Sequence, residues 1–171
     1  MCVTVTLEGR RPLVAEVQTL VCPVAGNEPA RRTTSGLDSA RVGMAVAVLQ
    51  QRAGLHLARC DVYAATVGGV RLTEPAVDLA ISLALAGAKA NMTLPSDVVA
   101  FGEVGLAGEI RSVAGIGRRL AEAGRMGFRR AVVPVGTDAI PADCPMQVSH
   151  AADLVSAIRT GFGLEPHQRG R

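Results

Sequence analysis

The stretch VRLTEPAVDLAISLALAGA, residues 70–88, decides how this chain reads. A polar turn runs into Pro75, and an apolar helix begins at once. Proline suits the first turn of a helix, because the N–H it lacks would have no partner there. The helix runs to about Ala90 and is apolar nearly all round, so it belongs inside the fold. A junction of this kind can seat a nucleophile, since a helix N-terminus stabilises developing negative charge. The residue after Pro75, however, is Ala76, a methyl group with no chemistry of its own.

Outward from this helix, the spacing of apolar residues predicts a mixed set of elements. CVTVTLEG and PLVAEVQTLV (residues 12–21) alternate as strands do, and the short Gly9-Arg10-Arg11 link makes them an antiparallel hairpin. The Pro-, Gly- and Thr-rich segment CPVAGNEPARRTTSG reads as a loop. Asp38 or Ser39 caps a helix over about 39–53, with Val42, Ala45, Val46 and Leu49 at helical spacing. DVYAATVGG (61–69) reads as a third strand. Residues 97–113 read as two strands joined around Leu106-Ala107-Gly108. Gly117 to Met126 reads as a basic helix with Leu120 and Ala123 inward. RAVVP (130–134) is a buried strand, MQVSH a last short one, and Ala151 to Phe162 a final helix. Strands and helices do not alternate strictly, and the early hairpin argues for an α+β, mixed-sheet architecture.

Composition narrows the function classes. The chain has 171 residues, 49% of them hydrophobic, enough for a real core. Aromatics are 2%, which weighs against a surface that stacks bases on rings. Cys2, Cys22, Cys60 and Cys144 form no C-x-x-C, and His56, His150 and His167 are scattered, so no metal site is expected. The start is not a signal peptide, and no apolar run is long enough to span a bilayer. Unpaired thiols without an export signal point to the cytoplasm. There is no G-x-x-x-x-G-K-[ST] phosphate loop. Gly115-Ile116-Gly117 precedes a helix, but the third glycine position is Leu120 and no ribose-binding acid follows within a βαβ unit, so these glycines read as turns and close packing.

Charge is more informative. The net charge of +3 is carried by seventeen arginines and a single lysine, Lys89. Codon bias in a GC-rich genome explains much of that usage, yet an arginine fork also grips phosphate bidentately. Residues 109–130 hold Arg111, Arg118, Arg119, Arg125, Arg129 and Arg130 against only Glu109 and Glu122. Arg118 and Arg119 fall in a helix's first turn, where cations are disfavoured unless an anion binds. The segment is either a solvated helix face or a cradle for a phosphate backbone. Arg10-Arg11 in the hairpin turn and Arg31-Arg32 in the Thr-rich loop are two further basic groups. RRTTSG reads equally as a loop ending in a helix cap. Glu74, Asp78 and Glu103 are candidate acids, with Asp78 better read as structural.

The ordered motifs LEGRRPLVAEVQTLV, RRTTSGLDSARVGMAVAVLQQRAG, YAATVGGVRLTEPAVDLAISLALA, GEVGLAGEIRSV and GFRRAVVP resemble the C-terminal Lon-protease-like domain of RadA-type bacterial DNA repair proteins. The resemblance runs from about Val3 to Ile158. It implies a Lon proteolytic-domain-like mixed sheet with about four helices. Residues 1–163 would form that domain and 164–171 a flexible tail. Catalytic members place a serine directly after the proline of G-P-S-A-G; the matching residues here are Glu74-Pro75-Ala76-Val77-Asp78. They place a lysine at a set distance after the first glycine of G-E-x-x-L-x-G; the same distance from Gly102 lands on Gly117. Both members of the Ser–Lys dyad are thus absent. Ser82 and Lys89 share a helix but not the family position.

The resemblance therefore implies a non-catalytic domain that needs no cofactor of its own. ATP, Mg and Zn would belong to a RecA-like ATPase and a zinc finger that this chain lacks. Strand-like residues directly after Met1 suggest a piece cut from a longer protein. The implied role is scaffolding of a homo-hexameric ring for DNA recombination, repair and branch migration by a DNA translocase, with sequence-independent backbone contacts from Arg11, Arg111, Arg118, Arg119, Arg31 and Arg32. The implied location is the bacterial cytoplasm, with no membrane. Two alternatives stand beside it: a purely structural oligomerisation module whose arginines meet Asp61, Glu74 or Glu103 of neighbouring subunits, and a residual peptidase.

Overall fold

A computed structural model describes residues 1–137, 140 and 144–164. The expected hairpin is present. Strand β1 (Cys2–Glu8) pairs antiparallel with β2 (Arg11–Pro23), in register from Cys2↔Val17 to Glu8↔Arg11. Only Gly9 and Arg10 lie in the turn. Gly9 has φ 61, the positive value that a two-residue hairpin loop needs at its first position.

Seven strands form one mixed sheet, in the order β3 (Arg32–Ser35)-β4-β2-β1-β5-β8-β9. Strand β4 (Cys60–Thr66) runs antiparallel to β2. Strands β5 (Val98–Ala100), β8 (Arg130–Pro134) and β9 (Gln147–Ala151) continue it in parallel from β1. Three helices cover one face: α1 (Ser39–Arg52), α2 (Asp78–Ala90) and α4 (Leu154–Gly161). The fourth, α3 (Ile116–Arg125), covers part of the other face, against β1 and β2. The fold is thus α+β with a mixed sheet and four helices among the described residues.

Alternation along the strands divides the core in two. Val98 and Ala100 face the three-helix layer with Leu49, Leu79, Leu83 and Leu154. Val5, Val99, Phe101, Ala131 and Val133 face α3 and pack on Ile116, Leu120 and Ala123. The short strand β5 is buried on both sides, as parallel strands under helices usually are. Helix α2 is buried along nearly its whole length, matching its all-round apolar sequence.

The structure corrects four local expectations. The Thr-rich segment is not all loop, because Arg32–Ser35 forms β3 and pairs in parallel with β4 at the sheet edge. The third strand stops at Thr66, where Val67–Gly69 turns. Residues 97–113 hold three strands rather than two: β5, then a small separate hairpin of β6 (Glu103–Val104) and β7 (Ile110–Arg111). The final helix starts at Leu154, where Asp153 and Ser156 form a reciprocal cap, and not at Ala151, which ends β9. Of the expected tail, residues 165–171 lie outside the described residues. No described helix is long and apolar enough to cross a membrane.

Candidate functional site

The Pro75 junction opens as a single turn of 3-10 helix, Pro75–Val77, before α2 proper. Ala76 is 1% exposed. Its carbonyl accepts from Gly102 N at 2.9 Å, and Leu79 N donates back to Gly102 O at 3.1 Å. Gly102 is required for this closeness, since a Cβ there would lie 2.8 Å from Ile110 Cγ2. The start of α2 is therefore stitched to the chain beyond β5. Within the turn, Val77 N donates to Glu74 O at 3.3 Å and Asp78 N to Pro75 O.

A cleft of about 290 Å³ borders this junction, lined by Glu74, Pro75, Ala76, Glu103, Ser112, Val113, Ala114 and Arg119. Its floor is an ion pair. Arg119 is 1% exposed and forks onto Glu74, with Nη1 to Oε1 and Nη2 to Oε2 each at 2.8 Å. Arg119 Nε donates to Ala114 O at 3.0 Å, and Nη1 also donates to Val5 O. Thr6 Oγ1 and Leu7 N donate to the same Glu74 carboxylate at 2.8 and 2.9 Å. Burial alone would push the Glu74 carboxyl up; the hydrogen bonds from Arg119, Thr6 and Leu7 outweigh it and hold the group below the ordinary glutamate range.

Arg119 is thus a correction. It was expected at a phosphate, yet its guanidinium is buried and fully engaged within the chain. The pattern that could have shown this is the inward stripe of α3, in which Arg119 falls at helical spacing between Ile116 and Ala123. The three acids named for contacts between subunits all have partners within the chain: Glu74 holds Arg119, Asp61 Oδ1 accepts from Arg31 N at 2.7 Å, and Glu103 pairs with Arg111 at 3.7 Å.

The cleft holds no nucleophile hydrogen-bonded to a base among the described residues. A guanidinium has no lone pair to take a proton. Gly117, in the first turn of α3, does not line the cleft. Ser82 and Lys89 also fail to meet: Ser82 Oγ is buried without a partner, and Lys89 Nζ donates to Cys60 Sγ at 3.4 Å. Asp78 is held by Arg41 Nη1, at 3.1 Å to both carboxylate oxygens, and burial pushes its carboxyl up to about 6. Its structural reading stands.

The six arginines of residues 109–130 divide sharply. Arg111 pairs with Glu109 and with Glu103 at 3.7 Å, Arg119 with Glu74, Arg125 with Glu122, and Arg130 with Asp97. Among the described residues, Arg118 and Arg129 take no acid partner. Arg118 stands beside the β1–β2 turn, its Nη1 3.4 Å from Arg10 O. Gly115 makes this approach possible: it has φ 73, and a Cβ there would lie 2.7 Å from Leu7 Cδ1. Arg11 lies near enough to α3 that its charge helps to lower the Glu122 carboxyl, after the larger effect of the Arg125 hydrogen bonds. Arg10, Arg11 and Arg118 are all exposed, so hairpin turn and helix start form one basic corner.

Arg31 and Arg32 lie elsewhere. Arg32 pairs across β4 with Val62, which faces Val21 of β2. Val21 is roughly 33 Å along β2 from Arg11 at a strand's rise per residue. Arg32 donates to Cys60 O at 2.6 Å and Leu57 O at 3.4 Å, while Arg31 pairs with Glu28 at 3.4 Å. Of the six arginines expected to act together, the structure brings together Arg11 and Arg118. Arg10 joins them.

Known proteins resemble this chain over most of its length. A family model described as subunit ChlI of Mg-chelatase matches residues 65–137, which include the Pro75 junction and α3. DNA repair protein RadA of Mycolicibacterium smegmatis is 50% identical over 158 residues, 92% of this chain and 33% of that protein. RadA of Mycobacterium tuberculosis is 48% identical over 166 residues, 97% of this chain and 34% of that protein. RadA of Streptococcus pyogenes is 50% identical over 134 residues, 77% of this chain and 29% of that protein. The chain spans about a third of the length of these relatives, and over most of its own length it is a homologue of proteins named DNA repair protein RadA.

Proposed function

We propose that this chain is a Lon-like, non-catalytic segment of a RadA-type repair protein, and that it grips the DNA backbone through the corner formed by Arg10, Arg11 and Arg118. The observation that carries the reading is the meeting of hairpin turn and α3: three exposed guanidiniums, none in a salt bridge within the described residues. Backbone contacts fix position without reading sequence, which suits a repair factor acting on any DNA. The dyad positions Ala76 and Gly117 offer no hydroxyl and no amine, so a fluorogenic peptide should be left uncut. The ATP-driven translocation and the recombination work inferred for the parent protein belong to other parts of it.

Fluorescence anisotropy with two duplexes of unrelated sequence, across a salt series, tests the reading. Expected are equal affinities and a log–log salt slope set by the number of phosphates contacted. Affinity that does not change with salt, or a clear preference for one duplex, overturns it.

A second reading, assembly into a ring of like subunits, is favoured by a different surface. Leu20 and Tyr63 face each other across β2 and β4 and are 57% and 38% exposed, beside the edge strand β3. An apolar pair on an open sheet face suits a protein contact. Sedimentation of the chain and of Leu20→Asp should show assembly in the first and its loss in the second. A monomer at every concentration sinks this reading.

A further inference from the structure

We propose that Cys60 and Lys89 form an oxidant-driven covalent link, in which the lysine amine traps the cysteine sulfenic acid as a sulfenamide. This inference is independent of the DNA reading. Lys89, the only lysine in the chain, lies in the last turn of α2 with its Nζ 3.4 Å from Cys60 Sγ. Cys60 opens β4 and is itself held in place: its N–H donates to Leu57 O at 3.1 Å and its Sγ to His56 O at 3.6 Å. Cys60 is buried, at 4% exposure, and Lys89 is partly exposed.

The other thiols lack this arrangement. Burial pushes the Cys2 thiol up to about 12, which leaves it unreactive. Among the described residues, no cationic side chain donates to Cys22 or Cys144, both half-buried.

The chemistry balances with hydrogen peroxide as the oxidant. The Cys60 sulfur attacks one peroxide oxygen and the O–O bond breaks. Sulfur loses two electrons to give the sulfenic acid, and the second oxygen leaves as water. The thiol proton passes to that departing oxygen, and the neighbouring ammonium stabilises the negative charge that develops on it as the O–O bond breaks. Lys89 then gives up a proton to solvent, and its neutral amine attacks the sulfenic sulfur. The S–N bond forms as the S–O bond breaks, and the departing hydroxide takes up a proton as water. Two equivalents of a thiol reductant return the free cysteine and amine, leaving one disulfide of the reductant. The link would tie the end of α2 to the start of β4 and close off overoxidation of Cys60.

Intact-mass and peptide-mapping spectrometry on the full chain tests this, in a background carrying Cys2→Ala, Cys22→Ala and Cys144→Ala, so that no internal disulfide can form. After peroxide, the expected product is lighter by about 2 Da, contains one cross-linked peptide joining Cys60 to Lys89, and reverts on reduction. Lys89→Arg keeps the charge but removes the amine nucleophile; its Cys60 should advance to sulfinic acid. A Cys60 that stays reduced, or that reaches sulfinic acid equally in both chains, overturns the proposal. Should the triple-alanine chain fail to fold, peptide mapping of the unmodified sequence and of Lys89→Arg gives the same decision.

Discussion

Among the described residues, Arg119 is the one buried arginine. Its fork ties α3 to the Pro75 junction through Glu74 and to β1 through Val5 O. Removing one partner of a buried pair strands the other, at a cost of several kcal/mol. Arg119→Ala should therefore destabilise the chain by about 3 kcal/mol in urea titration, and Arg119→Lys should recover little, because an ammonium cannot make the bidentate contact. A variant as stable as the parent would remove the pair from the account. The same pair predicts a pH effect. The Glu74 carboxyl is lower in the folded chain than its ordinary 4.5, so its stabilising contribution is complete above that value and is lost as the pH falls below it. Glu74→Gln should show a shallower acid loss of stability than the parent between pH 4.5 and the acid limit of folding. The sequence showed Ala76 and Gly117 as chemically silent. The ion pair that lines the cleft it could not show, because Glu74 and Arg119 meet only after the sheet has brought β1, the junction and α3 together.

At the scale of elements, α2 is the packing centre, and Gly87 is its tightest point. A Cβ there would lie 2.8 Å from Met92 O and 3.0 Å from Phe162 Cζ. Alanine is the better helix former by about 1 kcal/mol, yet overpacking against backbone costs about 1–3 kcal/mol, so Gly87→Ala should lower the melting temperature. A gain would mean that the Met92 backbone and the Phe162 ring can both shift aside. Elements set by local pattern were legible in the sequence: the β1–β2 hairpin, α1 behind its Asp38 cap, and β8 at residues 130–134. Elements set by distant partners were not. RTTS shows no apolar alternation, and it is a strand only because β4 offers an edge to pair with. The segment after β5 breaks into pieces because Gly102 is drawn against the Pro75 turn.

Seen whole, the molecule separates its arginines by what they touch. Those at Arg111, Arg119, Arg125 and Arg130 are matched by acids, and Arg32 caps backbone carbonyls, so most of the basic excess visible in the sequence is used internally. The exposed corner at Arg10, Arg11 and Arg118, where three guanidiniums without acid partners meet, lies at one end of the hairpin, far along β2 from Arg31 and Arg32. The central claim is that this corner, and not the Thr-rich edge, meets DNA. The salt dependence of duplex binding, measured side by side for the parent chain, for Arg10→Ala/Arg11→Ala/Arg118→Ala, and for Arg31→Ala/Arg32→Ala, tests it most directly. The account predicts a slope smaller by about 1 for each corner arginine removed, roughly 3 in total, and an unchanged slope for the edge variant; an unchanged slope in the corner variant, or an equal loss in the edge variant, would contradict it.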